Sequence, residues 1–119
     1  MKPVIKIKRV YEKAAKSDGV RILVDRLWPR GLTKEAAAID AWEKELAPTT
    51  ELREWFGHDP AVWPEFQKKY QAELKKNEAV DPFIEGHEDV KLITLVYGAK
   101  DEAHTHALVL QKYLTEKFA

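Results

Sequence analysis

Val20-Arg-Ile-Leu-Val-Asp25-Arg-Leu-Trp-Pro-Arg30-Gly31 decides the fold. An apolar, β-branched run stops at a Pro-Arg-Gly turn, which predicts a buried strand over 20–27. A second run, Lys91-Leu-Ile-Thr-Leu-Val-Tyr97, breaks into Gly98-Ala-Lys100-Asp101 and predicts a strand over 91–97. If the two lie parallel in one sheet, both charged corners face the same edge. That edge is where open α/β sheets bind ligands.

The rest of the chain arranges itself around these two runs. Ile5 and Ile7 alternate with Lys6 and Lys8, the period of a half-solvated strand at a sheet edge. Ser17-Asp18-Gly19 reads as a turn. Thr33 is a suitable cap for a short helix through Ala38, and Thr50 for a brief helix that Gly57 stops. Residues 39–46 fit either a helix, with Ile39, Trp42 and Leu46 on one face, or a short strand. A helix with the buried stripe Trp63, Phe66, Tyr70 and Leu74 starts either at Asp59-Pro60 or, because Pro64 fits poorly inside it, a few residues later. Asn77 to Glu88 is a polar connection interrupted by Pro82 and Gly86. A last helix over 101–117 is expected, capped by Asp101, with Ala103, Ala107, Leu110 and Leu114 inside. This order predicts a single α/β domain over 1–119, with a small, largely parallel central sheet of three to five strands flanked by helices.

Composition narrows the function classes. The 119 residues are 45% hydrophobic and 34% charged, as in ordinary globular proteins. Twenty basic residues balance 20 acidic ones, so the net charge is zero, which argues against non-specific nucleic-acid binding. There is no cysteine, which removes thiol catalysis, disulfides and thiolate metal sites and fits a reducing cytoplasm. No run reaches the roughly 18 apolar residues of a membrane span. The N-terminus lacks the apolar stretch of a signal peptide. No nucleophile elbow, phosphate loop or dinucleotide fingerprint is present, so no cofactor is indicated.

The candidate site residues cluster at the two corners. Arg30 sits in a Pro-Arg-Gly turn that can aim its guanidinium, a group suited to bidentate contact with phosphate or carboxylate. Asp25 and Arg26 either join it or pair locally to organise the corner. Lys100 and Asp101 open the expected last helix, whose N-terminus favours anions, although Asp101 reads more readily as a cap. His104 and His106 stand two apart, roughly 200° around a helix, so no shared metal is expected. His106 flanks the inner stripe and should be neutral, either as an acid/base group or bonded to a strand carbonyl. His58, in Trp55-Phe-Gly-His-Asp-Pro60, belongs either to a lid or pocket wall or to a turn in which Trp55 and Phe56 are core and Asp59 is a cap.

Three segments together resemble a known family. Leu23-Val-Asp-Arg-Leu-Trp-Pro-Arg-Gly31, Trp55-Phe-Gly-His-Asp-Pro60 and Tyr97-Gly-Ala-Lys-Asp-Glu-Ala-His-Thr-His106 are similar to the YeaO-like branch of an uncharacterised bacterial family, the domain of unknown function numbered 488. The resemblance covers nearly the whole chain and implies a small cytoplasmic α/β protein. It also implies that residues 40–46 form a strand. The wider family carries a Cys-His-Arg triplet opening its last helix, where this chain has Thr105-His106-Ala107. A strand-end cysteine of many members falls at Tyr97. Chemistry resting on that cysteine or arginine does not transfer, whereas Asp25, Arg30, Lys100, Asp101 and His106 do.

The leading expectation is a protein, monomer or homodimer, that binds an anionic small molecule at the carboxyl edge of its sheet. Arg26, Arg30, His58, Lys100, Asp101 and His104 would contact the ligand, and Asp25 or His106 would be the general acid/base candidate if the protein is an enzyme. Two alternatives stand beside it. One is an interaction or dimerisation domain presenting Trp28, Trp55 and Trp63. The other is a single-stranded nucleic-acid binder using Arg26, Arg30 and Trp28.

Overall fold

A computed structural model describes residues 2–118. Four strands form one parallel sheet: β1 (Val4–Arg9), β2 (Val20–Leu23), β3 (Ala41–Trp42) and β4 (Leu92–Tyr97), in the order β1-β4-β2-β3. Five α-helices accompany them: α1 (Lys34–Ala37), α2 (Thr50–Phe56), α3 (Trp63–Lys76), α4 (Val80–Gly86) and α5 (His106–Lys117). This is the α/β class with a parallel sheet that the alternation of patterns implies. None of the described helices is long and apolar enough to cross a membrane.

The two-residue period of the strands divides the core. Ile5 on β1, Ile22 on β2, and Ile93, Leu95 and Tyr97 on β4 face a helical layer supplied by Phe66, Tyr70 and Leu74 of α3 and Leu110 and Leu114 of α5. Full burial of Phe66 or Leu74 contributes roughly 1.5–3 kcal/mol each. Tyr70 also donates its hydroxyl to the Leu46 carbonyl at 2.6 Å, which ties α3 to the segment entering α2. Leu23 and Val96 face the other way, onto Ala37 and the half-buried Trp28, Leu32 and Ile39.

That second face also holds an ionic cluster. Arg21 is buried and spends its guanidinium on Asp18 Oδ2 at 2.7 Å and on the carbonyls of Ala37 and Ala38 at 2.7 and 2.9 Å. Asp18 further accepts from Lys8 at 3.2 Å and from the Ala15 N–H at 2.9 Å. Burial alone would raise the Asp18 pKa, but these donors outweigh it and hold the carboxyl at about 2. Ala38 closes α1 with φ 49°, a left-handed conformation costly for alanine, and the Arg21 bond to its carbonyl holds it there.

The helix caps correct several boundaries. Thr49, not Thr50, caps α2, accepting from the Leu52 N–H, and its own N–H and hydroxyl both bond Glu73 of α3. Asp59-Pro60 opens a 3-10 turn over Pro60–Val62, and α3 begins at Trp63, with Pro64 in the first turn where no N–H is needed. Residues 77–88 are not merely a connection, since α4 lies inside them. Pro82 falls in its first turn and Gly86 at its last residue. Residues 39–46 divide into the two-residue strand β3 and a 3-10 turn over Lys44–Leu46. The strand expected over 20–27 ends at Leu23.

The last helix starts five residues later than expected. Asp101 caps a local turn, accepting from the Ala103 and His104 N–H groups, and α5 begins at His106 under a Thr105 cap. Ala103 is therefore outside the helix and exposed. α5 packs back over β1 and β4, whereas the chain leaving β2 turns the other way toward β3. The two exits diverge, which opens a crevice at the carboxyl ends of β2 and β4.

Candidate functional site

A cavity of about 570 Å³ fills that crevice. It brings together Asp25, Arg26 and Arg30 from the first corner, Gly98, His104 and His106 from the second, and His58 from the loop after α2. Lys100 is exposed and, with Asp101, is not among the lining residues. Arg53 of α2 and Tyr11 after β1 also line it, and neither belongs to a corner motif. Arg53 stands one helical turn before Gly57, so its flank of α2 leads into His58; that spacing was the available signal.

Asp25 is the floor of the site. Its Oδ2 accepts from the Gly98 N–H at 2.8 Å, and its backbone carbonyl accepts from the Trp42 indole at 2.7 Å. A Cβ on residue 98 would meet Asp25 Oδ2 at 3.1 Å, so glycine lets β4 close onto the carboxylate rather than onto a ligand. Its Oδ1 lies 3.4 Å from His106 Nε2, and the two side chains are 21% and 17% exposed. Burial pushes the Asp25 carboxyl up, against the pull of His106, the Gly98 N–H, His58 and Arg53.

His106 opens α5, and its Nε2 donates to the Val24 carbonyl at 2.9 Å. That bond places the proton on Nε2 and leaves Nδ1 an acceptor in the neutral ring. Burial holds its pKa below the ordinary histidine value, against the opposing effects of Asp25 and the Val24 carbonyl. The strand-carbonyl bond expected of a core-edge histidine is thus made, and the ring still borders the cavity.

The cationic groups differ in how far they are committed. Arg26 donates from Nε to the Pro48 carbonyl at 3.0 Å and from Nη2 to the Ala47 carbonyl at 3.1 Å, bracing the segment that enters α2. Arg30 is exposed, and its carbonyl is held by the Tyr11 hydroxyl at 2.9 Å. Arg53 is exposed on α2. Among the described residues, none of the three forms an ion pair with a carboxylate. His104 Nδ1 sits 2.8 Å from Asp101 Oδ2, and that bond, chiefly, holds the Asp101 carboxyl below its ordinary value. His58 follows Gly57 in a second left-handed residue, φ 58°, a conformation costing a non-glycine about 1–2 kcal/mol.

No group of histidines and carboxylates among the described residues is arranged to hold a metal ion. The three tryptophans do not share one exposed face. Trp28 and Trp63 are half-buried, the former edge-on to Trp42 at 5.5 Å, and Trp55 is the one of the three exposed, at 43%.

The chain is similar in sequence to several bacterial proteins over most of its length. It is 44% identical over 110 residues to "Uncharacterized protein YeaO" of Escherichia coli (strain K12), covering 92% of this chain and 96% of that protein. It is 38% identical over 112 residues to "Uncharacterized protein Rv3073c" of Mycobacterium tuberculosis (strain ATCC 25618 / H37Rv), covering 92% of each. The same figures hold for "Uncharacterized protein Mb3100c" of Mycobacterium bovis. No solved structure matches the chain. Residues 4–119 match the family described as the inactive DUF488-N3 subclade, and with those relatives this shows that the chain belongs to the YeaO-like DUF488 family.

Proposed function

We propose that the protein binds an anionic small molecule, a phosphate ester or nucleotide, in the crevice at the carboxyl ends of β2 and β4, without transforming it. One observation carries this reading. Arg26, Arg30 and Arg53 line a single cavity, and none of them is neutralised by a carboxylate partner among the described residues. Guanidinium groups free of carboxylates in a partly enclosed site favour phosphate and carboxylate ligands. The volume, about 570 Å³, suits a metabolite rather than a bare ion. Aromatic and apolar walls from Trp28, Phe56 and Phe66 would take its uncharged part.

Binding without turnover agrees with the description of the subclade as inactive. It also agrees with Thr105 and Ala107 standing where the family resemblance places cysteine and arginine. Thermal denaturation in the presence of nucleotides and sugar phosphates tests the reading. A ligand at ~100 times its dissociation constant stabilises by about 2.7 kcal/mol. Arg53→Ala, an exposed change, should leave the unliganded melting temperature in place and abolish most of the ligand shift. If no phosphate-bearing compound stabilises the wild type, the reading is wrong.

A further inference from the structure

Asp25 is the one carboxylate among the residues lining the cavity. It is oriented into a cationic site, held at one oxygen by the Gly98 N–H and facing His106 Nε2 with the other at 3.4 Å. Resting on the anion-binding reading above, we propose that the pocket takes its anion together with a proton, captured from solvent at Asp25. An ionised Asp25 would repel an anion bound in the same cavity. A protonated carboxyl removes that repulsion and supplies an O–H donor.

The surroundings favour this site for the proton. The His106 Nε2–H is already engaged by the Val24 carbonyl. Gly98 satisfies only one carboxylate oxygen. The charged and titratable groups around Asp25 are His106 from α5, Arg53 from α2, His58 from the loop after it, Arg26 and Arg30 from its own corner, His104 from the second corner, and the buried Tyr70 hydroxyl from α3. The arginines keep their charge throughout the neutral range, and Tyr70 stays protonated, since burial raises its pKa well above the ordinary value. An arriving anion offsets the cations that now favour ionised Asp25, so its carboxyl pKa must rise on binding.

Sulfate is the probe, because it does not itself titrate near neutrality. Calorimetric titration of the full chain at pH values from 5.5 to 8.5 should show sulfate affinity weakening with pH, by up to about tenfold per unit. Repeating the titration in buffers of different ionisation enthalpy counts the protons taken up. Asp25→Asn should take up fewer protons than the wild type, by up to about one. Carbon NMR of the Asp25 carboxyl in the wild type provides a readout that needs no variant, and its titration midpoint should move up on saturation with sulfate. Equal proton uptake in the two proteins, or an unmoved midpoint, overturns the linkage alone. A wild type that binds neither sulfate nor any phosphate ester overturns the site reading and the linkage with it.

Discussion

The Gly98 N–H and Asp25 Oδ2, 2.8 Å apart, join the two strand ends that frame the crevice. The bond is this short because residue 98 has no side chain. A methyl group there would stand 3.1 Å from Oδ2 and 3.8 Å from the Tyr11 ring. Gly98→Ala should therefore lengthen this bond and destabilise the fold by about 1 kcal/mol, read as a lowered urea midpoint at unchanged slope. It should also weaken whatever binds beside Asp25. An alanine variant with an unaltered midpoint would mean that the corner yields freely and that Asp25 is not fixed by the turn.

Arg21 has a different role from the arginines of the crevice. It is buried and fully engaged, with one bond to Asp18 and two to the carbonyls closing α1. Replacing it with methionine leaves Asp18 with Lys8 as its remaining charged partner and strands two carbonyls, one of them on the left-handed Ala38. The expected cost is roughly 3–5 kcal/mol, the usual penalty for removing one member of a buried pair. Removing both charges, with Asp18→Asn added, should cost less than the sum of the single changes. A strictly additive pair would show that the two side chains act independently.

The same cluster makes stability depend on acid. Asp18 titrates at about 2 when folded against an ordinary 3.8, so its contribution is complete above 3.8 and is lost as pH falls toward 2. The amount is roughly 2 kcal/mol. His106 acts in the same direction at higher pH. Its pKa is lowered on folding, so its contribution is present above 6.5 and declines as the solution becomes more acid. Asp25 acts in the opposite sense, because its raised pKa gives a contribution that is full below 3.8 and is lost as pH rises through the folded value. Urea unfolding between pH 5 and 2 should show stability falling in the wild type and a shallower fall in Asp18→Asn. Equal slopes would contradict this assignment.

The fold was legible wherever side-chain period and cap chemistry agreed. Ile5 and Ile7, the start of β2, the β4 run and the Phe66, Tyr70 and Leu74 stripe all lie where their spacing puts them. Errors arose where two sound signals competed. Asp101 and Thr105 are both good caps, and the structure uses both, the first for a turn and the second for α5. Pro82 and Gly86 read as breakers, yet each sits at a helix end that tolerates it. For the site, the corner residues Asp25, Arg26 and Arg30 and His58, His104 and His106 were visible as motifs and do line one cavity. Arg53 was not, because an arginine on a short polar helix looks like any solvated residue until α2 is placed against the crevice. The Asp18–Arg21 pair was hidden for a related reason: a turn residue and a strand residue meet only once the sheet forms.

Two glycines with positive φ allow strain and steric contact to be separated. Gly19 adopts φ 65° and ψ −136° just before β2, and a Cβ there would lie 2.5 Å from the Leu92 carbonyl oxygen. That oxygen belongs to the backbone of β4 and cannot rotate away. Gly31 adopts φ 80°, but a Cβ there would meet nothing within 4 Å. Gly31→Ala should therefore cost only the backbone conformation, about 1–2 kcal/mol. Gly19→Ala adds the displacement of a central strand, so it should cost several kcal/mol or prevent folding altogether. Chemical denaturation of the two variants compares them directly. Similar losses would mean that the β2 entrance moves as a unit, and that the close approach of Gly19 to β4 does not hold the register of Val20 opposite Ile93.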